Sequence, residues 1–128
     1  MKLPLSRLTP YLQSALRVAA AFIFIAHGTQ KLFAFPGGSR VAIVSQMGAA
    51  GLIEAVGGTL MLLGLFTRPV AFVLAGEMAV AYFTAHMPHG TWPILNGGEL
   101  AVLFCFIWLF FCAAGPGPLS LDALRRRL

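Results

Sequence analysis

Seven ionisable side chains lie in or at the ends of apolar segments, where they could bind a ligand or carry protons. Histidine and glutamate exchange protons, and histidine or lysine N–H groups donate hydrogen bonds to carbonyl oxygens. An ionisable group inside an apolar span costs roughly 2.5 to 3.5 kcal/mol on insertion scales, so it is usually paired, protonated or facing a wet cavity. The seven candidates for a polar core or ligand site are His27, Lys31, Glu54, Glu77, His86, His89 and Glu99.

Helical spacing indicates which of these side chains face one another. His27 and Lys31 are four residues apart, about 40° around a helix, and therefore share one face. Glu54 shares its face with Gly51, Gly57 and Gly58, and small residues let helices approach closely in lipid. We therefore expect Glu54 to point inward and to pair with Lys31 or His27. Glu77 shares a stripe with Val73, Ala81 and Thr84, which is a weaker signal of the same kind.

The elements that carry these residues are predicted to be membrane-spanning helices. The chain has 128 residues, of which 59% are apolar and only 10% charged, a composition that excludes a water-soluble domain with a polar exterior. Four apolar runs approach the ~20 residues that cross ~30 Å of hydrocarbon as a helix. They cover residues 12–35, 47–66, 69–87 and 97–114. Their length and lack of strict alternation favour helices over barrel strands.

The breaks between the runs favour one domain over residues 1–128, an all-α integral membrane four-helix bundle of antiparallel helices. Pro and Gly in "FPGGS" end the first run, and "TRP" at 67–69 is short enough to make the second and third runs antiparallel neighbours. The first run is too long for a signal peptide and lacks a small-residue cleavage site, so we expect it to be retained.

Basic residues predict the orientation of the chain. Seven of the nine would lie on one side and two, Lys31 and Arg40, towards the other, so both termini are predicted to be cytoplasmic. The closing "SLDALRRRL" would lie at the inner surface, near anionic headgroups. Arg17 is expected to reach those headgroups too. In this orientation the candidate residues share the outer half of the membrane, except Glu77, which lies near the midplane.

Structural roles compete with a binding role at several positions. Glu99 follows Asn96 by three residues, the spacing of a helix capping box, and Lys31 could extend to the outer interface. Cys105 and Cys112 are seven residues apart on one helix, too far for a disulfide with each other. No metal site is predicted, because the HxxH of His86 and His89 spans a proline-containing turn. No nucleic-acid-binding pattern is present.

Several segments together resemble the DoxX family of small bacterial membrane proteins. They are "AHGTQKLFAF", "GLIEAVGGTLMLLGLFTRP", "GEMAVAYFTAHMPHG", "NGGELAV" and "GPGPLSLDAL". The resemblance implies a four-helix membrane bundle in the bacterial inner membrane. It also implies a link to membrane-associated oxidoreductases, including thiosulfate:quinone oxidoreductase, or to quinones and oxidative stress. The residues that match the family's pattern are His27, Gly28, Lys31, Glu54, Gly58, Arg68, Glu77, His86, His89, Gly98 and Glu99.

Two functions therefore stay open. The first is a subunit or partner of a membrane oxidoreductase that binds a quinone in the outer half of the bundle. His27 and Lys31 would donate hydrogen bonds, Glu54 or Glu99 would carry protons, and a protein partner would supply the redox cofactor. The second is a non-catalytic membrane chaperone or scaffold, in which the polar residues fix helix register. Besides lipid, a homo-oligomeric partner is compatible with either function, and no catalytic residue is assigned.

The predicted orientation can be tested by cysteine labelling in a variant that lacks both native cysteines. A cysteine introduced at Gly90 should react with a membrane-impermeant reagent added from the outer side. A cysteine introduced at Ser120 should be protected from the same reagent. The reverse pattern would contradict the orientation derived from the basic residues.

Overall fold

The computed structural model describes residues 4–128, and this part of the chain is helical with no β-strand. The helices are α1 (Thr9–Phe33), α2 (Gln46–Leu63), α3 (Thr67–Ala81), α4 (Pro93–Asn96), α5 (Glu99–Ala114) and α6 (Leu121–Arg125). A 3₁₀ turn, Pro4–Leu8, precedes α1. A π-helical turn, Tyr82–His86, and a 3₁₀ turn, Met87–His89, extend α3. The predicted all-α class is confirmed.

Three continuous helical stretches are long and apolar enough to cross a membrane. They are Pro4–Phe33, Gln46–Leu63 and Thr67–His89, whereas α5, which is also apolar, has only 16 residues. Large apolar side chains cover the outside of these helices; Phe22, Phe72 and Phe106 are each about two-thirds exposed. In water such a surface would be unfavourable, so the helices belong in a lipid bilayer.

Helix ends are set by local backbone chemistry. The Ser45 hydroxyl accepts a hydrogen bond from the Gly48 N–H at 3.0 Å and caps α2. Gly64 ends α2 with a φ of +67°, a left-handed conformation that favours glycine. The short turn therefore covers residues 64–66 rather than the predicted 67–69. Pro69 lies in the first turn of α3, where its missing N–H leaves no helical hydrogen bond unmade.

The helices pack as two pairs, α1 against α2 and α3 against α5, joined where α2 meets α3. The α1–α2 contact depends on glycine. An added Cβ at Gly28 would lie 2.5 Å from the Ala55 backbone nitrogen and 2.8 Å from the Gly51 oxygen. Between the pairs, Phe24 of α1 contacts Phe104 and Trp108 of α5 at ring-centroid distances of 5.2 and 5.3 Å. Backbone proximity therefore holds one pair and aromatic packing links it to the other.

Arg17 does not reach the headgroups, and that prediction is wrong. Its side chain is only 1% exposed. It donates hydrogen bonds to the backbone oxygens of Met61 at 2.7 Å, Leu119 at 2.7 Å, and Pro116. Met61 is in the last turn of α2, where helical carbonyls have no intrahelical donor. Arg17 therefore satisfies a helix end and holds the C-terminal segment against it.

Asp122 of α6 makes the complementary contact at the start of α3. Its carboxylate accepts the N–H groups of Phe66 and Thr67, both at 2.9 Å. Partial burial alone would raise the pKa of Asp122, but these hydrogen bonds and the nearby Arg125 hold that pKa below its ordinary value. The contact therefore contributes stability at pH values above the ordinary pKa of aspartate. This contribution is lost as the pH falls through the lowered pKa of Asp122.

The glycine-dependent packing predicts opposite effects of alanine at two helical glycines. Gly28→Ala forces a Cβ against backbone atoms that cannot rotate away, so it should destabilise the protein by about 1 to 3 kcal/mol or more. Gly76→Ala places its Cβ in open space and should leave stability unchanged or raise it by up to about 1 kcal/mol. Thermal unfolding of both variants in one detergent measures the difference. Equal melting temperatures would contradict the close α1–α2 approach.

Candidate functional site

A cavity of about 730 Å³ lies between the helix pairs and is lined by residues of α1, α2, α3, the π-helical turn and α5. Apolar side chains form most of its wall. Five of the seven predicted site residues also line it, namely His27, Lys31, Glu54, Glu77 and His86. Its volume falls in the ordinary range of small-molecule sites, about 300 to 1,000 Å³. An apolar wall with a few convergent polar groups is the usual composition of such sites.

Lys31 and Glu54 form an ion pair inside this cavity. The Lys31 Nζ donates to both carboxylate oxygens of Glu54 at 2.6 Å. The two side chains are 19% and 3% exposed. The predicted pairing is confirmed, and the alternative in which Lys31 extends to the outer interface is wrong. Glycines explain the geometry, since a Cβ on Gly51 would lie 3.0 Å from the Lys31 Cβ.

Glu77 brings a second carboxyl group to the pair. Its carboxyl group interacts electrostatically with both members, more strongly with Glu54 than with Lys31. Each of its carboxyl oxygens exposes less than 1 Å², and no donor from residues 4–128 reaches them. One lysine therefore faces two carboxyl groups in an apolar setting, so ionisation of both Glu54 and Glu77 would leave one negative charge uncompensated. A shared proton or a ligand donor would remove this imbalance.

The two cavity histidines differ in what they bind. The His86 Nδ1 lies 3.2 Å from the Asn96 backbone oxygen, and its ring stacks on Tyr82. Its orientation is therefore fixed by the protein. His27 is half-buried and makes no side-chain hydrogen bond within residues 4–128. Of the two, His27 is the ring free to contact a ligand in the cavity.

Glu99 and His89 lie outside the site. Both side chains are exposed and neither lines the cavity. The alternative role of Glu99 in a capping box is also wrong. Helix α5 begins after Gly98, whose N–H donates to Asn96 Oδ1 at 2.8 Å, and its start has no side-chain cap. Glu99 therefore lies in the first turn of α5, where a carboxylate interacts favourably with the helix dipole.

Sequence reasoning underestimated Glu77, which it placed at the midplane, apart from the outer layer. The residues on its helix face indicated the cavity, because Val73, Ala81 and Thr84 all line it. Gly76, which also lines it, was not singled out. Both cysteines are free and half-buried. Among residues 4–128, no group of three or more histidine, cysteine, aspartate or glutamate side chains is arranged to hold a metal ion.

Fold and site together define a small helical membrane protein with a charged pair inside an apolar cavity. The sequence profile of the DoxX family matches residues 12–87. The chain belongs to the DoxX family. It is also 43% identical over 125 residues to an uncharacterized protein of Haemophilus influenzae, covering 92% of this chain and 93% of that protein. No solved structure matches the chain.

The ion pair predicts strong energetic coupling between its two members. Glu54→Ala removes the carboxylate to which Lys31 donates within residues 4–128, at a cost of about 3 to 5 kcal/mol. The double variant Glu54→Ala with Lys31→Met removes both charges and should be more stable than Glu54→Ala alone. Thermal or denaturant unfolding in detergent measures the coupling.

Glu99→Ala is the matched control, because this exposed glutamate lies outside the cavity. It should change stability little and should not couple to Lys31→Met. Additive losses for Glu54→Ala and Lys31→Met would contradict the pairing.

Proposed function

We propose that this protein is a small subunit or partner of a membrane-associated oxidoreductase in the bacterial inner membrane, and that its cavity binds a quinone. In this proposal α1, α2, α3 and α5 all cross the membrane as an antiparallel bundle with both termini in the cytoplasm. The observation that carries the proposal is the cavity itself. It combines an apolar wall and a buried ion pair with His27, whose ring makes no hydrogen bond within the described part of the chain.

A quinone fits this chemistry. Its flat ring is apolar on both faces, and its two carbonyl oxygens accept hydrogen bonds. His27 can donate one such bond, and the Lys31 ammonium has a third N–H beyond the two directed at Glu54. The Phe24 and Phe104 side chains supply aromatic surface on the cavity wall. The same residues would therefore orient a ring and hold its oxygens.

The carboxyl groups proposed to exchange protons are Glu54 and Glu77, whereas the sequence suggested Glu54 or Glu99. Quinone reduction takes up protons and quinol oxidation releases them. Glu99 lies outside the cavity, whereas Glu54 and Glu77 line it, so we assign proton exchange to these two. The sequence has no recognisable flavin, haem or iron–sulfur motif, so a protein partner would exchange electrons with the ring.

The charge distribution supports the proposed orientation. Arg17 holds the C-terminal segment at the end of the molecule where α2 turns into α3, and Arg68 donates to the Cys112 and Ala113 carbonyls at that end. The tail arginines follow there. This end collects most of the basic residues, as expected for a cytoplasmic surface. The Lys31–Glu54 pair then lies towards the outer half.

A membrane chaperone or scaffold is the second candidate. The observation that favours it is the ion pair, because buried polar contacts can fix helix register without any ligand. Under this function the cavity would be a consequence of packing, and the wide apolar exterior would contact a client or another subunit. The two functions predict different results for a substitution that leaves the ion pair intact.

His27→Ala is that substitution. It should weaken binding of a soluble quinone analogue about tenfold, because a hydrogen bond to the ring oxygen is lost, and should leave the melting temperature nearly unchanged. Titration of the purified protein in detergent measures the affinity. His89→Ala, at an exposed histidine outside the cavity, is the matched control and should bind like wild type. Equal affinities for wild type and His27→Ala, or no binding by wild type, would favour the scaffold.

A further inference from the structure

The cavity opens sideways, between α2 and α3. Several residues line it and are also exposed, which marks them as the rim of an opening. Between the two helices they include Met47 and Ile53 of α2 and Val73 and Val80 of α3, with exposures of 38 to 55%. At the end of the molecule away from the 64–66 turn, exposed lining residues also include Gln46, Thr84 and Leu100. A Cβ on Gly57 would lie 2.6 Å from the Leu74 side chain, so the two helices touch near their connecting turn. Beyond that contact the cavity lies between them.

The part of the rim between α2 and α3 is apolar, and the charged groups lie deeper. The side chains of Met47, Ile53, Val73 and Val80 carry no strong hydrogen-bonding group, whereas the inner wall holds His27 and the Lys31–Glu54 pair. In a membrane this opening would face hydrocarbon. A water-soluble ligand would be desolvated on that route, at a cost of several kcal/mol per polar group. A molecule already dissolved in lipid has left water before it reaches the opening, so entry requires no such desolvation.

We propose that the cavity takes a membrane-resident amphiphile whose long apolar chain lies in the opening between α2 and α3 while its polar ring reaches His27. This inference rests on the proposed quinone site and specifies its ligand class and entry route. The ring hydrogen-bonds at the inner wall, and the chain contacts the rim and continues into lipid. Each methylene buried against the rim adds to affinity through the hydrophobic effect and packing.

Gly76 keeps the opening wide in this arrangement. It lies on α3 between Val73 and Val80, lines the cavity and is exposed, and a Cβ added there would meet no atom within 4 Å. Glycine inside a helix is about 0.5 to 1 kcal/mol less favourable than alanine. Helix packing does not require it, unlike Gly28, so a larger side chain can be accommodated and would project into the opening.

Two compounds with the same quinone ring, one bare and one with a long alkyl chain, test the inference. Both are titrated against wild type, Gly76→Phe and Gly37→Phe in the same detergent. Gly37 also has open space around it but lies in the loop after α1, outside the cavity. Gly76→Phe should weaken binding of the chain-bearing compound by about tenfold or more and should change binding of the bare ring much less. Gly37→Phe should bind both like wild type.

Each other result overturns a defined part of the account. Wild-type affinity of Gly76→Phe for the chain-bearing compound, or an equal loss for both compounds, would overturn the chain position while leaving the ring site intact. If neither compound binds to wild type, both the quinone site and this inference are wrong. If Gly76→Phe does not fold, Val80→Trp narrows the same opening from an exposed rim position, with the same expectations.

Discussion

The Lys31–Glu54 pair can exist inside an apolar protein only because α1 and α2 approach closely enough for both carboxylate oxygens to meet one ammonium. Removing two charges from water costs several kcal/mol each unless they pair with good geometry. Gly28 and Gly51 permit that geometry, since a side chain at either position would push the helices apart. The ion pair and the glycines therefore both require the same short distance between α1 and α2. The position of His27, one helical turn before Lys31, follows from it.

The two ends of the molecule are built differently, and the cavity follows from this difference. At the basic end, Arg17, Arg68 and Asp122 bind free backbone groups of helix termini and hold α2, α3, α5 and the C-terminal segment together. At the other end, α2 and α3 are separated by the cavity. A closed end and an open end place the proposed site between tightly bound helix termini and a gap that would face lipid.

The parts of the fold that depend on local pattern were predictable from the sequence. Apolar length predicted the main helices, and the glycine face around Glu54 predicted its inward direction and its pairing. The contacts of Arg17 were not predictable, because two of the three backbone oxygens it binds lie about a hundred residues away in a loop without periodicity. Glu77 was misjudged for a related reason. Depth along one helix does not show which residues of a neighbouring helix lie at the same level, and in the structure Glu77 interacts with Glu54.

The central claim is that the cavity with the Lys31–Glu54 pair is a binding site for a lipid-soluble quinone rather than a gap in a scaffold. The most direct measurement is organic-solvent extraction of the protein purified from its native membrane in mild detergent, followed by chromatography and mass spectrometry. The account predicts a quinone in near-stoichiometric amount with wild type and a clear reduction with His27→Ala. Quinone at the level carried by an unrelated membrane protein purified in parallel would contradict it.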